Sequence, residues 1–280
     1  GHLEKAVARQ PGSADLHNLL GGALKRAGRL EDAVLAYDKA VSLGPELAEA
    51  HYNLGNALKA LQRHDDAVPS YRRAVELEPG FADAHYNLGI VLMAAGRPDE
   101  AARAYGDAVA INPEDAEAHL NLGNAHVRLG ETDAAIDYFR QALDIDPDDA
   151  TAITNLGNAL MDKGAFDDAL AHHRRAIEAA PDHAEAHHNL GLALLLQGKL
   201  EEGWAEYEWR LRTEEGTPQR TFPQAPWAGQ PVDGKTVLVW SEQGVGDEVL
   251  FAGMVPDLAA AGANVILESD PRLVPLFERS

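Results

Sequence analysis

The sequence predicts an all-α solenoid of six full 34-residue repeats plus a partial one, followed by a short, incomplete α/β Rossmann-like unit. Three observations predict it. The string Asn-Leu-Gly begins at Asn53, Asn87, Asn121, Asn155 and Asn189, always 34 residues apart. Each period holds two stretches in which apolar residues return at three- and four-residue steps, as on one face of a helix. Beyond residue 217 the period stops, prolines cluster, and two short apolar runs flank a helical stretch.

Residues 1–13 match the end of an earlier unit, with Ala6 and Pro11 in phase, so they read as a partial helix of a chain that begins inside a repeat. Six units span 14–217, starting at residues 14, 48, 82, 116, 150 and 184. Unit two shows the plan: a helix from Ala48 to about Leu61, a turn at Gln62-Arg63-His64, and a second helix from Asp65 to about Glu76. Small residues stand in register where helices must approach closely. The eighth position is Gly21, Gly55, Gly89, Gly123, Gly157 and Gly191; the twentieth is Ala33, Ala67, Ala101, Ala135 and Ala169; the twenty-seventh is Ala40, Ala74, Ala108, Ala142 and Ala176. A glycine inside a helix costs about 1 kcal/mol relative to alanine, so its recurrence implies a packing reason. The turn holds Gly28, Gly96, Gly130, Gly164 and Gly198, and Pro45, Pro79, Pro113, Pro147 and Pro181 close the first five units. Ser13, Asp115 and Asp149 are placed to cap the next helix in the chain. Unit six departs from the pattern with Gly203, Arg210 and Thr217, and carries Trp204, Tyr207 and Trp209 on one expected helix. These aromatics read as a hydrophobic cap against the C-terminal domain, or as a stacking platform for a ligand.

Residues 218–233, with Pro218, Pro223, Pro226 and Pro231, read as a linker. Thr236–Trp240 reads as a buried strand, Ser241–Asp247 as a glycine-containing loop, and Glu248 to about Ala261 as a helix bent at Pro256. Asn264–Glu268 reads as a second strand, and Asp270-Pro271 opens a short helix through Phe277. Residues 234–280 thus form one incomplete β-α-β unit of a parallel sheet, too small to cover both its own faces.

Composition narrows the function. The 280 residues carry 24 Lys+Arg against 45 Asp+Glu, a formal net charge of −21, which repels a phosphate backbone and excludes general nucleic-acid binding. The absence of cysteine excludes disulfides, thiolate zinc sites, iron–sulfur clusters and a cysteine nucleophile. No apolar run approaches the roughly 20 residues that span a bilayer, and Gly1-His2-Leu3-Glu4-Lys5 lacks the start of a signal peptide. A cytoplasmic protein without a membrane partner is expected. No Walker A motif, nucleophile elbow or H-E-x-x-H motif is present, so neither a cofactor nor an enzyme is expected of these residues.

The repeats, on their Asn-Leu-Gly, alanine and proline positions, resemble the tetratricopeptide repeat (TPR) family over residues 1–217. The resemblance implies a right-handed superhelical solenoid of helix pairs whose first helices line a concave groove for extended peptides or partner proteins. The tail resembles the start of a family 9-like, heptosyltransferase-like glycosyltransferase domain that follows TPR arrays in bacterial proteins. The matching residues are Pro226-Trp227, Gly229, Gly234-Lys235, Glu242-Gln243-Gly244, Gly246-Asp247, Phe251-Ala252, Pro256, Gly262-Ala263 and Leu267-Glu268. That resemblance implies a GT-B fold and makes Asp247 the candidate general base of a longer parent protein. On the residues alone, Gly244 and Gly246 serve equally to make the strand-to-helix turn, and Asp247 to cap the helix.

The groove supplies the binding candidates. Asn53, Asn87, Asn121, Asn155 and Asn189 occupy the sixth position, and Asn56, Asn124 and Asn158 lie about one turn on. A carboxamide both donates and accepts, matching the main chain of an extended peptide. A similar asparagine ladder in O-GlcNAc transferases implies such a role; bonding between neighbouring helices is the competing use. Tyr52 and Tyr86 are expected to flank the strip and to stack on a ligand. The second position is usually acidic (Asp15, Glu49, Asp83, Glu117, Glu185), which favours a neutral or basic peptide, although acids also suit helix N-termini. His17, His51, His85, His119 and His187, at the fourth position, are expected to fill a packing slot; the cluster His172, His173, His183, His187 and His188 has no set metal-ligand spacing. The expected function is a protein-interaction scaffold. The alternatives are the targeting arm and N-terminal part of a glycosyltransferase, and a module that self-associates through its unfinished ends.

Overall fold

The computed structural model describes residues 2–213, 223–224, 227, 229–240 and 252–278. The chain divides into two compact units, Gly1–Thr213 and Glu214–Ser280. The first is an all-helical solenoid. It opens with α1 (His2–Arg9), followed by the pairs α2 (Ala14–Arg26) and α3 (Leu30–Leu43), α4 (Ala48–Ala60) and α5 (His64–Leu77), and α6 (Ala82–Ala94) and α7 (Pro98–Ile111). Then come α8 (Ala116–Leu129) and α9 (Thr132–Ile145), α10 (Ala150–Asp162) and α11 (Phe166–Ala179), and α12 (Ala184–Leu196) and α13 (Leu200–Tyr207). Within each pair the helices pack on each other, and each second helix packs on the next first helix. The alanines of the twentieth position (33, 67, 101, 135 and 169) are fully buried in these contacts.

The glycines of the eighth position have a steric cause. A Cβ at Gly21, Gly55, Gly89 or Gly123 would stand 2.5–2.8 Å from the ring of Tyr37, Tyr71, Tyr105 or Phe139, the residue at position 24 of the same unit. These rings are at most 2 % exposed, so neither partner has room to yield. In unit five the ring is His173, and in unit six Gly191 instead meets the backbone of Tyr207. Each turn ends in a left-handed residue: Gly28, Gly96, Gly130, Gly164 and Gly198 with φ of 71–78°, and Gln62 with φ 59° where unit two has no glycine.

The expected caps form. Ser13 Oγ accepts from the Leu16 amide (3.3 Å), Asp115 from that of Ala118 (3.0 Å), and Asp149 from those of Thr151 and Ala152 (2.8 and 3.1 Å). His183 Nδ1 accepts from the Ala186 amide at 3.1 Å, a cap that its side-chain type conceals in the sequence. The fourth-position histidines do more than fill space. Nε2 of His17, His51, His85, His119 and His187 donates to the carbonyl of Pro11, Pro45, Pro79, Pro113 and Pro181, at 2.9–3.1 Å. Each latch ties the proline junction before a unit to that unit's first helix.

Several boundaries differ from expectation. In unit two the first helix stops at Ala60 and the second runs from His64 to Leu77. The three aromatics of unit six do not share one helix: α13 ends at Tyr207, and Trp209 lies on a 3₁₀ turn, Glu208–Arg212. That turn folds Trp209 flat onto His187 (centroids 3.9 Å, planes 5° apart), while His187 Nδ1 lies 2.5 Å from Glu206. The His187 ring is thus held between Trp209 beyond the helix end and Glu206 within it.

In the second unit, β1 (Thr236–Trp240) and β2 (Asn264–Glu268) pair in parallel, Thr236 opposite Asn264 and Trp240 opposite Glu268. The parallel α/β arrangement is as expected, but the strands are not buried: Leu238 is 38 % and Ile266 55 % exposed. Between the strands lie a 3₁₀ turn at Ala252–Met254 and α14 (Val255–Ala260), with Pro256 in its first turn rather than at a bend. A turn fixed by Asp270, which accepts from the Arg272 amide at 2.8 Å, precedes α15 (Val274–Phe277), so that helix starts later than expected. The Glu242–Asp247 loop, Pro226 and Phe251 lie outside the described residues. Among the described residues no helix is long and apolar enough to cross a membrane.

Candidate functional site

The geometry of the asparagine strip is set by the glycine two residues on. Position 8 faces the second helix of its own unit, because an aromatic ring rests on it. At about 100° per residue, position 6 points to the opposite side, toward the neighbouring first helices, and position 9 lies one turn along the same face. Most of the hydrogen bonds agree: Asn53, Asn87, Asn121 and Asn155 each have a partner on an adjacent first helix.

Position 6 reaches back to position 5 of the preceding unit in units two, three and four. Asn53 Nδ2 on α4 donates to Asn18 Oδ1 on α2 at 3.1 Å. Asn121 Nδ2 on α8 donates to the Tyr86 hydroxyl on α6 at 2.9 Å. Asn87 Nδ2 lies 3.5 Å from the Tyr52 hydroxyl and donates to the Asp83 carbonyl at 2.8 Å, while its Oδ1 accepts from Lys59 Nζ. Position 9 is engaged too: Asn56 Oδ1 accepts from the Tyr71 hydroxyl at 2.8 Å.

The pattern breaks at unit five. Position 5 of unit four is Leu120, which cannot accept, and Asn155 Nδ2 turns to Asn124 Oδ1 at 2.9 Å. Position 5 of unit five is Thr154, only 2 % exposed, whose hydroxyl donates to the Ala150 carbonyl at 2.7 Å. Asn189 has no hydrogen-bond partner among the described residues, and neither has Asn158; both are half-buried.

The hydroxyls of Tyr52 and Tyr86 meet Asn87 and Asn121, and their rings are already packed. Tyr52 lies edge-on to Tyr71 (6.0 Å) and against Phe81 (4.7 Å), and Tyr86 lies against Tyr105 (5.7 Å). Burial pushes the Tyr86 hydroxyl well above the usual tyrosine range, and the nearby Glu117 carboxylate adds to this. Burial lowers the Lys59 ammonium, and nearby Lys25 adds to this, with Glu117 opposing. The second-position acids Asp15, Glu49, Asp83, Glu117 and Glu185 are exposed.

Asn18, Lys59 and His173 also belong to this site or its support, and nothing in their own residue types marks them for it. Comparing the units column by column exposes them. Position 24 reads Tyr37, Tyr71, Tyr105, Phe139, His173 and Tyr207, and His173 is the misfit: fully buried, with neither ring nitrogen bonded. Burial holds it down at about 4. Among the described residues no three His, Asp or Glu side chains are grouped to hold a metal. Asp247 lies outside the described residues.

Comparison with known proteins points the same way. A sequence model described as tetratricopeptide repeat matches residues 52–112 and 88–150, and one described as TPR repeat matches 21–62 and 157–198. Protein FlbA of Caulobacter vibrioides is 41 % identical over 83 residues, which are 28 % of this chain and 14 % of FlbA, so the match spans about one seventh of that protein. YrrB, described as a TPR protein with an unusual peptide-binding site, superposes with a TM-score of 0.62 at 28 % identity, covering 71 % of this chain and 99 % of YrrB. MamA superposes with a TM-score of 0.57 at 28 % identity, covering 59 % of this chain and 96 % of MamA.

Proposed function

The chain belongs to the tetratricopeptide repeat family, and we propose that it is a non-catalytic scaffold that holds an extended peptide or partner segment along its row of first helices. The observation that carries this reading is the half-buried carboxamide strip on one face of six consecutive first helices, from Asn18 to Asn189. Amides in that setting recognise a main chain through paired donors and acceptors, with little dependence on its side chains. The exposed acids beside the strip favour a neutral or basic peptide. The likeness to YrrB supports a peptide ligand. The test is to change Asn87, Asn121, Asn155, Asn158 and Asn189 together to Ala and titrate a partner peptide. A loss of affinity with an intact helical spectrum is expected; unchanged affinity would remove the strip from recognition.

A second reading makes the solenoid the targeting arm of a TPR-linked glycosyltransferase. It rests on the parallel β1–β2 pair and the helical crossover between them. Sugar transfer by the product of the whole gene, abolished by Asp247→Ala, is its test; transfer that survives the substitution would remove Asp247 as the base.

A further inference from the structure

We propose that the peptide main chain is read in units five and six, by Asn158 and Asn189, and not along the whole strip; this rests on the groove reading. Hydrogen-bonding capacity carries the inference. In units one to four the strip is committed to the solenoid: Asn53 to Asn18, Asn56 to Tyr71, Asn87 to Lys59 and Asp83, Asn121 to Tyr86. A ligand drawing on these groups must share or displace a bond already made within the protein, so its net gain is smaller than at an amide with no internal bond. Asn158 and Asn189 lose nothing on binding except water. They stand 31 residues apart on adjacent first helices, the same relation as Asn124 and Asn155, which do touch.

Two identified residues leave this pair open. In unit two the Tyr71 hydroxyl occupies Asn56 Oδ1; the matching residues of unit five are His173 and Asn158, and the imidazole makes no hydrogen bond. Thr154, where Asn189 would look for its acceptor, is a short side chain only 2 % exposed that turns into its own helix and makes no hydrogen bond to Asn189. Each replaces a group that elsewhere would close the strip. A buried histidine with both nitrogens unbonded is a cost that packing alone does not require, since Phe139 fills the same slot one unit earlier.

The test uses the full chain and a displayed library of random 12-residue peptides. Enriched peptides are made synthetically and their binding measured by fluorescence anisotropy. The double change Asn158→Ala and Asn189→Ala, which breaks no hydrogen bond among the described residues, is expected to weaken binding by about tenfold or more. Asn53→Ala with Asn121→Ala is expected to leave it within about twofold. His173→Tyr, which brings a hydroxyl to Asn158 as Tyr71 does to Asn56, is expected to weaken binding while the melting temperature rises, so the loss does not reflect unfolding. If the Asn53/Asn121 pair alone matters, or both pairs matter equally, the placement in units five and six is overturned and the groove reading stands. If no peptide is enriched, or neither pair affects binding, the groove reading itself falls.

Discussion

A Cβ on Gly157 would stand 2.6 Å from Cε1 of His173. The contact repeats the glycine–aromatic pairing of the earlier units with an imidazole as the ring. Glycine at position 8 and a flat ring at position 24 are therefore one packing device, and neither is replaceable without the other.

Gly89→Ala is accordingly expected to destabilise the protein by about 2 kcal/mol. Overpacking against the buried Tyr105 ring, 2.5 Å from the new Cβ, outweighs the gain in helix propensity. Gly106→Ala, on α7 with nothing within 4 Å of its Cβ position, is expected to stabilise by about 0.5–1 kcal/mol. Chemical denaturation of both variants gives the comparison. A Gly89→Ala protein as stable as the parent would remove the steric explanation of the recurrent glycine.

His173 predicts an acid-sensitive unit five. Its folded pKa of about 4 lies below the unfolded value near 6.5. Below pH 6.5 the unfolded chain therefore binds a proton that the folded chain refuses. Stability is lost as pH falls from about 6.5 toward 4, by up to about 3 kcal/mol at the lower end. His173→Phe is expected to melt higher at neutral pH, because it removes an unsatisfied buried polar ring, and to lose this component of the pH slope. Melting curves of both proteins between pH 4 and 7 supply the check. Parallel pH profiles would show that His173 titrates without burial.

Gln62 holds φ 59° where the other turns have glycine. A side chain in the left-handed region costs about 1–2 kcal/mol, partly offset because glycine loses more backbone freedom on folding. Gln62→Gly is expected to gain about 0.5–1 kcal/mol, and Gly130→Ala, at φ 75°, to lose about 1 kcal/mol. Thermal unfolding of the two variants should move in opposite directions.

Much of the solenoid is legible in the sequence because its signals are local and repeated. In unit two the expected ends of both helices fall within one residue of those observed. The end of α13 is hidden because the apolar spacing continues through Trp209, which lies beyond the helix end and stacks on His187. The asparagine positions are legible, but their partners are not. Whether Asn121 is engaged depends on Tyr86, 35 residues earlier, and Asn155 on the failure of Leu120 to accept. Composition identifies the strands of the second unit but not their exposure, because an apolar run marks a buried strand only where something covers it.

The histidine–proline latches set the mechanics of the array. Five junctions carry this side-chain tie; the junction at Pro147 does not, because Ile153 stands at the fourth position of unit five. There the proline carbonyl is held by the exposed guanidinium of Arg175, on a long side chain with many rotamers. Pulled from its two ends, the array is expected to yield first between units four and five, next to Asn158 and Asn189.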